Sequence, residues 1–369
     1  MTVSNIPSGM RYYIGREAQL RRWIEDETMA VFQGWSYEEI LTPSVDYYSL
    51  FEQGMGQAEA RTAFRFTDND GHLLSLRPDV TSSIARVAAT MLSRAPRPLR
   101  FCYAAPVFRQ QLQSRAEWRR ENTQLGCELI GTDGNTSDLE ILLVAAEILS
   151  RLGLTDQSII TLSHAGIFAG LFNESGLDQD ARMEIQSLLN SMDQTGLKNF
   201  FDQKQISRDV AESVLLLLQL SGKEEVLVKA RNSISNSGSV AALDSLQKIW
   251  TVIQSLGVEN RFSLDLADVS GLQYYTGMIF KIYIGGAGYR VGRGGRYDGL
   301  TSKFGAAEPA VGFVLSLDTL TELLSRHQLN IATKATPVRT VQRDDLQTTF
   351  SEALALRAQL DQIRIEVSD

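Results

Sequence analysis

The chain has 369 residues, 43% of them apolar and 22% charged, with a net charge of −8 and an isoelectric point near 5.2. That balance describes a globular protein with a substantial core, and its acidity argues against a broad phosphate-binding surface, whose affinity rests on Lys and Arg. No apolar run approaches the ~18 residues of a membrane span, no basic-then-apolar leader opens the chain, and two cysteines and three histidines in no Cys/His spacing argue against a metal centre. The expectations are a cytoplasmic protein with no membrane contact, no metal, and reduced core thiols at Cys102 and Cys127.

In chain order, Leu20, Trp23, Ile24, Ala30 and Val31 recur near helical spacing over 16–33, with Gly34 as a stop. YEEILTPSVDY (37–47) reads as a strand ending at Pro43. HLLSLRPDVTSSIARVAATML (72–92) reads as a short strand, a turn at Arg77-Pro78, and a helix opened by Asp79 or Thr81. Residues 99–109 and about 121–131 form a long antiparallel hairpin, and the basic RAEWRR at 115–120 is a solvated loop within it. A helix over 138–152 stops at Gly153.

From 172 to 240 glycine thins out and helix formers dominate, which predicts a helical insertion; a helix over 241–256 returns the chain to the core. Strands follow at 261–268, 278–284 and 310–316. Strands arranged as hairpins favour an α+β fold, an antiparallel sheet flanked by helices. The expected division is a discontinuous core of 1–171 and 241–328, the insertion 172–240, and a C-terminal extension 329–369.

The candidate site begins on the second hairpin strand, where Gln124 and Glu128 share one sheet face while Cys127 and Leu129 take the other. With Arg109 on the neighbouring strand, they suggest a guanidinium for a carboxylate and a carboxylate for an ammonium: an amino-acid site. In DVSGLQYYTG, Tyr274 and Tyr275 suit a pocket wall or the core, and Ser270–Gln273 offer no acid, base or cation, which leaves open whether the loop serves chemistry or only holds a ligand. GYRVGRGGRYDGL (288–300) matches neither a phosphate loop nor a dinucleotide loop and reads as tight turns between strands.

Together these segments resemble histidyl-tRNA synthetase over residues ~10–325. YEEILTPSVDY is similar to class II motif 1, PVFRQQ…RRENTQLGCELIG to motif 2, and AVGFVLSLDTL to motif 3. SGLQYYTG and GGRYDGL are similar to the two histidine signatures, and LRPDVT (76–81) to the amino-group-binding segment. The resemblance implies a class II aminoacyl-tRNA synthetase-like fold. It implies that Asp79, Thr81 and Gln124 hold an α-ammonium group, that Glu128 and Tyr275 hold an imidazole, and that Tyr297 adds a further wall; Asp79 stands where synthetases carry glutamate.

Three departures matter. Ser270 and Thr319 stand where the family has arginines, and Gln111 where it has a glutamate. Losing two preorganised cations costs roughly 3 kcal/mol each in the transition state, about four decades of rate together. About 45 residues beyond motif 3 are also too few for a full anticodon-reading domain, although FSEALALRAQLDQIRIEVSD is similar to the opening of one. This pattern resembles the regulatory subunit of ATP phosphoribosyltransferase. The resemblance implies a subunit with no catalytic residue and no cofactor, a histidine effector bound by Asp79, Thr81, Arg109, Gln124, Glu128, Tyr274, Tyr275 and Tyr297, and a short-form catalytic partner. It further implies a homodimer through motif 1 and no tRNA; the alternatives are a divergent histidyl-tRNA synthetase or an amino-acid-binding module with another partner.

Overall fold

Leu20, Ile24, Val31 and Phe32 lie along one side of helix α1 (Gly15–Gly34) and are all buried. The computed structural model that shows this describes residues 6–110, 119–269, 271, 274–326, 339–341, 345–359 and 363–365. After α1 the strand expected to end at Pro43 is only the short β1 (Glu38–Glu39), and a second strand, β2 (Val45–Tyr47), begins beyond that proline. Between them the buried Arg77 takes the Thr42 carbonyl at 2.6 Å and the Pro106 carbonyl at 2.7 Å, which bends the chain out of the sheet. Helices α2 (Tyr48–Met55) and α3 (Gln57–Ala60) and strands β3 (Arg65–Thr67) and β4 (Leu73–Leu76) follow; β2, β4 and β3 form a small antiparallel sheet.

Helix α4 (Thr81–Ala89) starts where Asp79 accepts the Ser82 amide at 3.2 Å, a carboxylate doing the work of an N-terminal cap. The hairpin is β5 (Leu99–Phe108) with β6 (Glu121–Ile130), and α5 (Asn135–Arg151) packs against α1 and the later strand Ala310–Ser316. Strand β7 (Ser158–His164) leads into helices α6 (Ala165–Glu174), α7 (Gln179–Asn190), α8 (Gln194–Gln203) and α9 (Arg208–Leu217). A short β8 (Ser221–Gly222), α10 (Glu225–Ser233) and α11 (Ser237–Ser255) return the chain to β9 (Phe262–Asp265). Then come β10 (Met278–Ile284), β11 (Gly292–Arg296), β12 (Ala310–Ser316) and α12 (Leu317–Arg326).

Nine strands form the main sheet in the order β1-β5-β6-β12-β11-β10-β7-β9-β8, antiparallel except at β1–β5 and β7–β9. The glycine-rich 292–296, read from the sequence as a turn, is the central strand. Two layers cover the sheet. Phe32 of α1 meets Phe313, which meets Phe280, on one face. Val80, Ile84 and Ala88 pack on Phe101, Tyr103 and Tyr297 on the other.

Residues Met1–Leu323 make one compact unit and Leu324–Asp369 a second. In the second, β13 (Arg339–Val341) and β14 (Ile363–Ile365) pair in parallel, and α13 (Leu346–Ala358) packs on both.

Candidate functional site

Along β6, Gln124, Gly126 and Glu128 point to the α4 side of the sheet. Their partners are Ser316, Val314 and Gly312 on β12, and Arg293 and Gly295 on β11 continue the last two rows. The floor is made by omitted side chains. A Cβ at Gly312 would stand 1.9 Å from Glu128 Oε2, one at Gly126 would meet the Tyr103 ring at 2.6 Å, and one at Gly295 would meet the Tyr275 ring at 2.9 Å. The glycines thus let an acid and two aromatic rings lie flat on the backbone.

Glu128 is 2% exposed and accepts hydrogen bonds from Thr81 Oγ1 at 2.7 Å and from the Tyr297 hydroxyl. Burial pushes its carboxyl up from 4.5 to about 7 against those two donors. Burial also raises Asp79, which accepts from the Ser82 amide and, at 3.0 Å, the Ser82 hydroxyl; Arg109 and Arg293 pull it back down. Arg109 Nε in turn donates to the Pro78 carbonyl at 3.1 Å. The rings of Tyr274 and Tyr275 meet edge-on at 5.1 Å, and Tyr274 stacks on Tyr297 at 5.4 Å.

Asp79, Thr81, Arg109, Gln124, Glu128, Tyr274, Tyr275 and Tyr297 all line one cavity of about 230 Å3. That is below the ~300–1,000 Å3 typical of drug-sized ligands and suits one small polar molecule. Of its acids Glu128 is buried and Asp79 half-buried, while Arg293 and Glu59 are exposed, so it offers both charges to a zwitterion. The lining residues that sequence reasoning missed include Met55, Glu59 and Arg293. Arg293 was readable in principle: had 292–296 been taken as a strand, the period of two would have put Arg293 on the same face as Tyr297.

A second cavity of about 120 Å3 adjoins the first and shares Arg109, Gln124, Arg293 and Val314 with it. Arg119, Arg120 and Arg290 join Arg109 and Arg293 in its wall, and among the described residues no carboxylate lines it. Thr319, which stands at the motif 3 arginine position, also lines it, bonded to Ser316 Oγ at 2.9 Å and 3.3 Å from the Tyr289 hydroxyl. Asp318, one residue earlier, accepts from Tyr13, from Arg21 at 3.0 Å and from the Thr123 amide at 2.6 Å, which makes it a clamp on the sheet edge of the site. The other two departures, Ser270 and Gln111, lie outside the described residues, as does most of the basic stretch 115–120.

Two buried ion pairs hold the walls. Lys281 donates to Asp268 at 2.8 Å, which pins the start of the Tyr274–Tyr275 loop to β10. Arg296 is buried between Asp138, at 2.7 Å, and Asp298, at 3.2 Å, which fixes the end of β11. Away from the site, Asp68, Asp70 and His72 cluster in an exposed turn. Asp68 there accepts its own turn amides and pairs with His72, and nothing points to an ion.

This sheet with its acid-floored cavity defines a class II synthetase-like protein of the histidyl branch. The family model described as histidyl-tRNA synthetase matches residues 9–320. A histidyl-tRNA synthetase from Nostoc superposes with a TM-score of 0.81 over 100% of this chain and 87% of that one, at 20% identity. Within that branch the chain belongs to the family of ATP phosphoribosyltransferase regulatory subunits. It is 34% identical to the ATP phosphoribosyltransferase regulatory subunit of Moorella thermoacetica over 96% of this chain and 90% of the relative. A Bacillus halodurans structure described as an ATP phosphoribosyltransferase regulatory subunit/histidyl-tRNA synthetase superposes with a TM-score of 0.87 at 27% identity, covering 100% of this chain and 95% of that one. Among the described residues, no helix is long and apolar enough to cross a membrane.

Proposed function

We propose that this chain is a non-catalytic regulatory subunit that binds histidine in the acid-floored cavity and sets the activity of a short-form ATP phosphoribosyltransferase in the first step of histidine biosynthesis. The observation that carries the reading is Glu128, buried with hydroxyl donors on both oxygens, in one cavity with Asp79 and two arginines. A carboxylate held there suits an imidazole N–H, and the Asp79 side suits an ammonium group. The subunit acts through differential binding to two states of its partner, since it brings no catalytic group of its own. The reading includes a homodimer through the motif 1 region, no tRNA ligand, 172–240 as a helical insertion, and 329–369 as a remnant of an anticodon-binding-like domain.

The test is to titrate the chain with histidine by calorimetry and to assay a short-form catalytic chain with and without it. A saturable histidine isotherm and raised turnover that histidine represses are expected. Equal turnover with and without the chain would remove the activating role.

One observation favours a second reading, a divergent histidyl-tRNA synthetase: among the described residues, five arginines line the adjoining cavity, as a triphosphate would require. Against it stands Thr319, bonded to Ser316 where a cation would be needed. Histidine-dependent ATP–pyrophosphate exchange separates the two, and its absence is expected.

A further inference from the structure

Arg293 projects from the middle of the central strand, and it is the one exposed residue among Gly292–Arg296. It lines the acid-floored cavity and the arginine-lined one alike. Its strand neighbours Gly292, Gly294 and Gly295 carry no side chain to crowd or cover it. Its cross-strand partners are Val314 and Lys281. The Lys281 charge is committed to Asp268 at 2.8 Å. The Arg293 main chain is held in the ladder, but its guanidinium makes no hydrogen bond or ion pair among the described residues. Arg109, the other guanidinium shared by the cavities, is tethered through Nε to the Pro78 carbonyl. The cavity therefore has two acids, the half-buried Asp79 and the buried Glu128, for an ammonium and an imidazole, and an exposed arginine fork available to a planar, bidentate anion.

We propose that Arg293 is the carboxylate anchor of the bound amino acid, and the residue by which the cavity selects an α-amino acid over an amine or alcohol of the same shape. This rests on the histidine reading above and deepens it. Asp79 and Glu128 set where the nitrogen groups lie, and Arg293 sets what the third substituent on the α-carbon must be. Because Arg293 belongs to both walls, it holds the carboxylate at the boundary between the cavities.

The experiment is calorimetry on the full chain with two probes, L-histidine and L-histidinol, in which the carboxylate is replaced by an alcohol. Wild type is expected to prefer histidine by roughly 10- to 150-fold, the range of a charged hydrogen bond. In Arg293→Ala, histidine affinity falls by that factor while histidinol affinity stays, so the preference collapses towards one. Arg293→Lys keeps the charge without the fork, retains part of the preference, and serves as the test should the alanine variant fail to fold by thermal melt. A variant that keeps the wild-type preference, or that loses both probes equally, overturns the anchor while leaving the histidine reading intact. Wild type that binds neither probe overturns the histidine reading and the anchor with it.

Discussion

On either side of the shared wall of Arg109, Gln124, Arg293 and Val314 lie two cavities of contrasting make. The acid-floored one is shaped by backbone: Gly126, Gly295 and Gly312 leave room, and Glu128, Thr81 and Tyr297 bond one another across it. The arginine-lined one is shaped, among the described residues, by five long cationic side chains. A cavity of the first kind recognises by fit and by a few desolvated hydrogen bonds, and its energetics resist salt. A cavity of the second kind attracts by charge, adapts its geometry, and weakens as ionic strength rises. On the proposed reading, the contrast assigns selectivity to the first cavity and long-range attraction to the second.

The largest effect is expected from filling the floor. In Gly312→Ala the new Cβ meets Glu128 Oε2 at 1.9 Å and the Cys127 carbonyl at 2.5 Å, and the backbone cannot rotate away. Histidine binding should be lost to below detection, and stability should fall by about 1–3 kcal/mol in a denaturant melt. Normal binding in that variant would show that the ligand does not reach Glu128.

Next comes Glu128→Gln, which keeps the volume and removes the charge. Histidine should bind roughly 10- to 150-fold more weakly by calorimetry, and a complex with the catalytic chain should stay active yet resist histidine in parallel. If neither curve moves, the histidine sensor lies elsewhere.

A third prediction concerns pH. The folded protein holds the Glu128 proton up to about pH 7 whereas the unfolded chain releases it near 4.5, so this group's stabilising contribution is full below 4.5 and is lost as pH rises to 7. The loss amounts to about 3 kcal/mol. Asp79, Asp138 and Asp265, also raised by burial, add a slope of the same sign. His164 opposes them. Burial lowers its imidazole to about 4, so its contribution is present above pH 6.5 and is lost as pH falls towards 4. Unfolding free energy measured from pH 4.5 to 7 should therefore decline less steeply in Glu128→Gln than in wild type. It should decline more steeply in His164→Asn, which keeps the helix cap on the Gly166 amide. Identical slopes in all three proteins would contradict the burial of Glu128 and of His164.

The smallest effect belongs to the arginine-lined side. Tyr289→Phe removes a hydroxyl 3.3 Å from Thr319 and should change stability by less than about 0.5 kcal/mol, with no change in the histidine isotherm. A large loss of histidine affinity there would mean that the two cavities act as one.

Much of the fold was legible from local pattern. The β5–β6 hairpin, β10 and β12 appear where alternation put them, because each carries β-branched or aromatic residues bounded by turn residues. The failures have one cause, partners distant in sequence. β1 is cut short because Arg77 captures the Thr42 carbonyl, and β11 is a strand although all five of its residues are glycine or arginine, because Tyr275 and Phe313 supply the packing its own side chains do not. For the site, the eight residues expected from the resemblance come to one cavity, but the Thr81–Glu128 and Tyr297–Glu128 bonds and the place of Arg293 depend on strand register, which no local window contains.

The glycine floor carries a consequence for how the binding site can change over time. A surface built from side chains can be adjusted by degrees, one methylene at a time. A surface of bare backbone has no smaller residue to turn to, so every substitution at Gly126, Gly295 or Gly312 adds bulk where Tyr103, Tyr275 or Glu128 already lies. The floor can persist or fail, with little between. Drift in ligand strength or preference is thereby channelled to the rim, to Met55, Glu59 and Arg293, where a residue can be exchanged without displacing another.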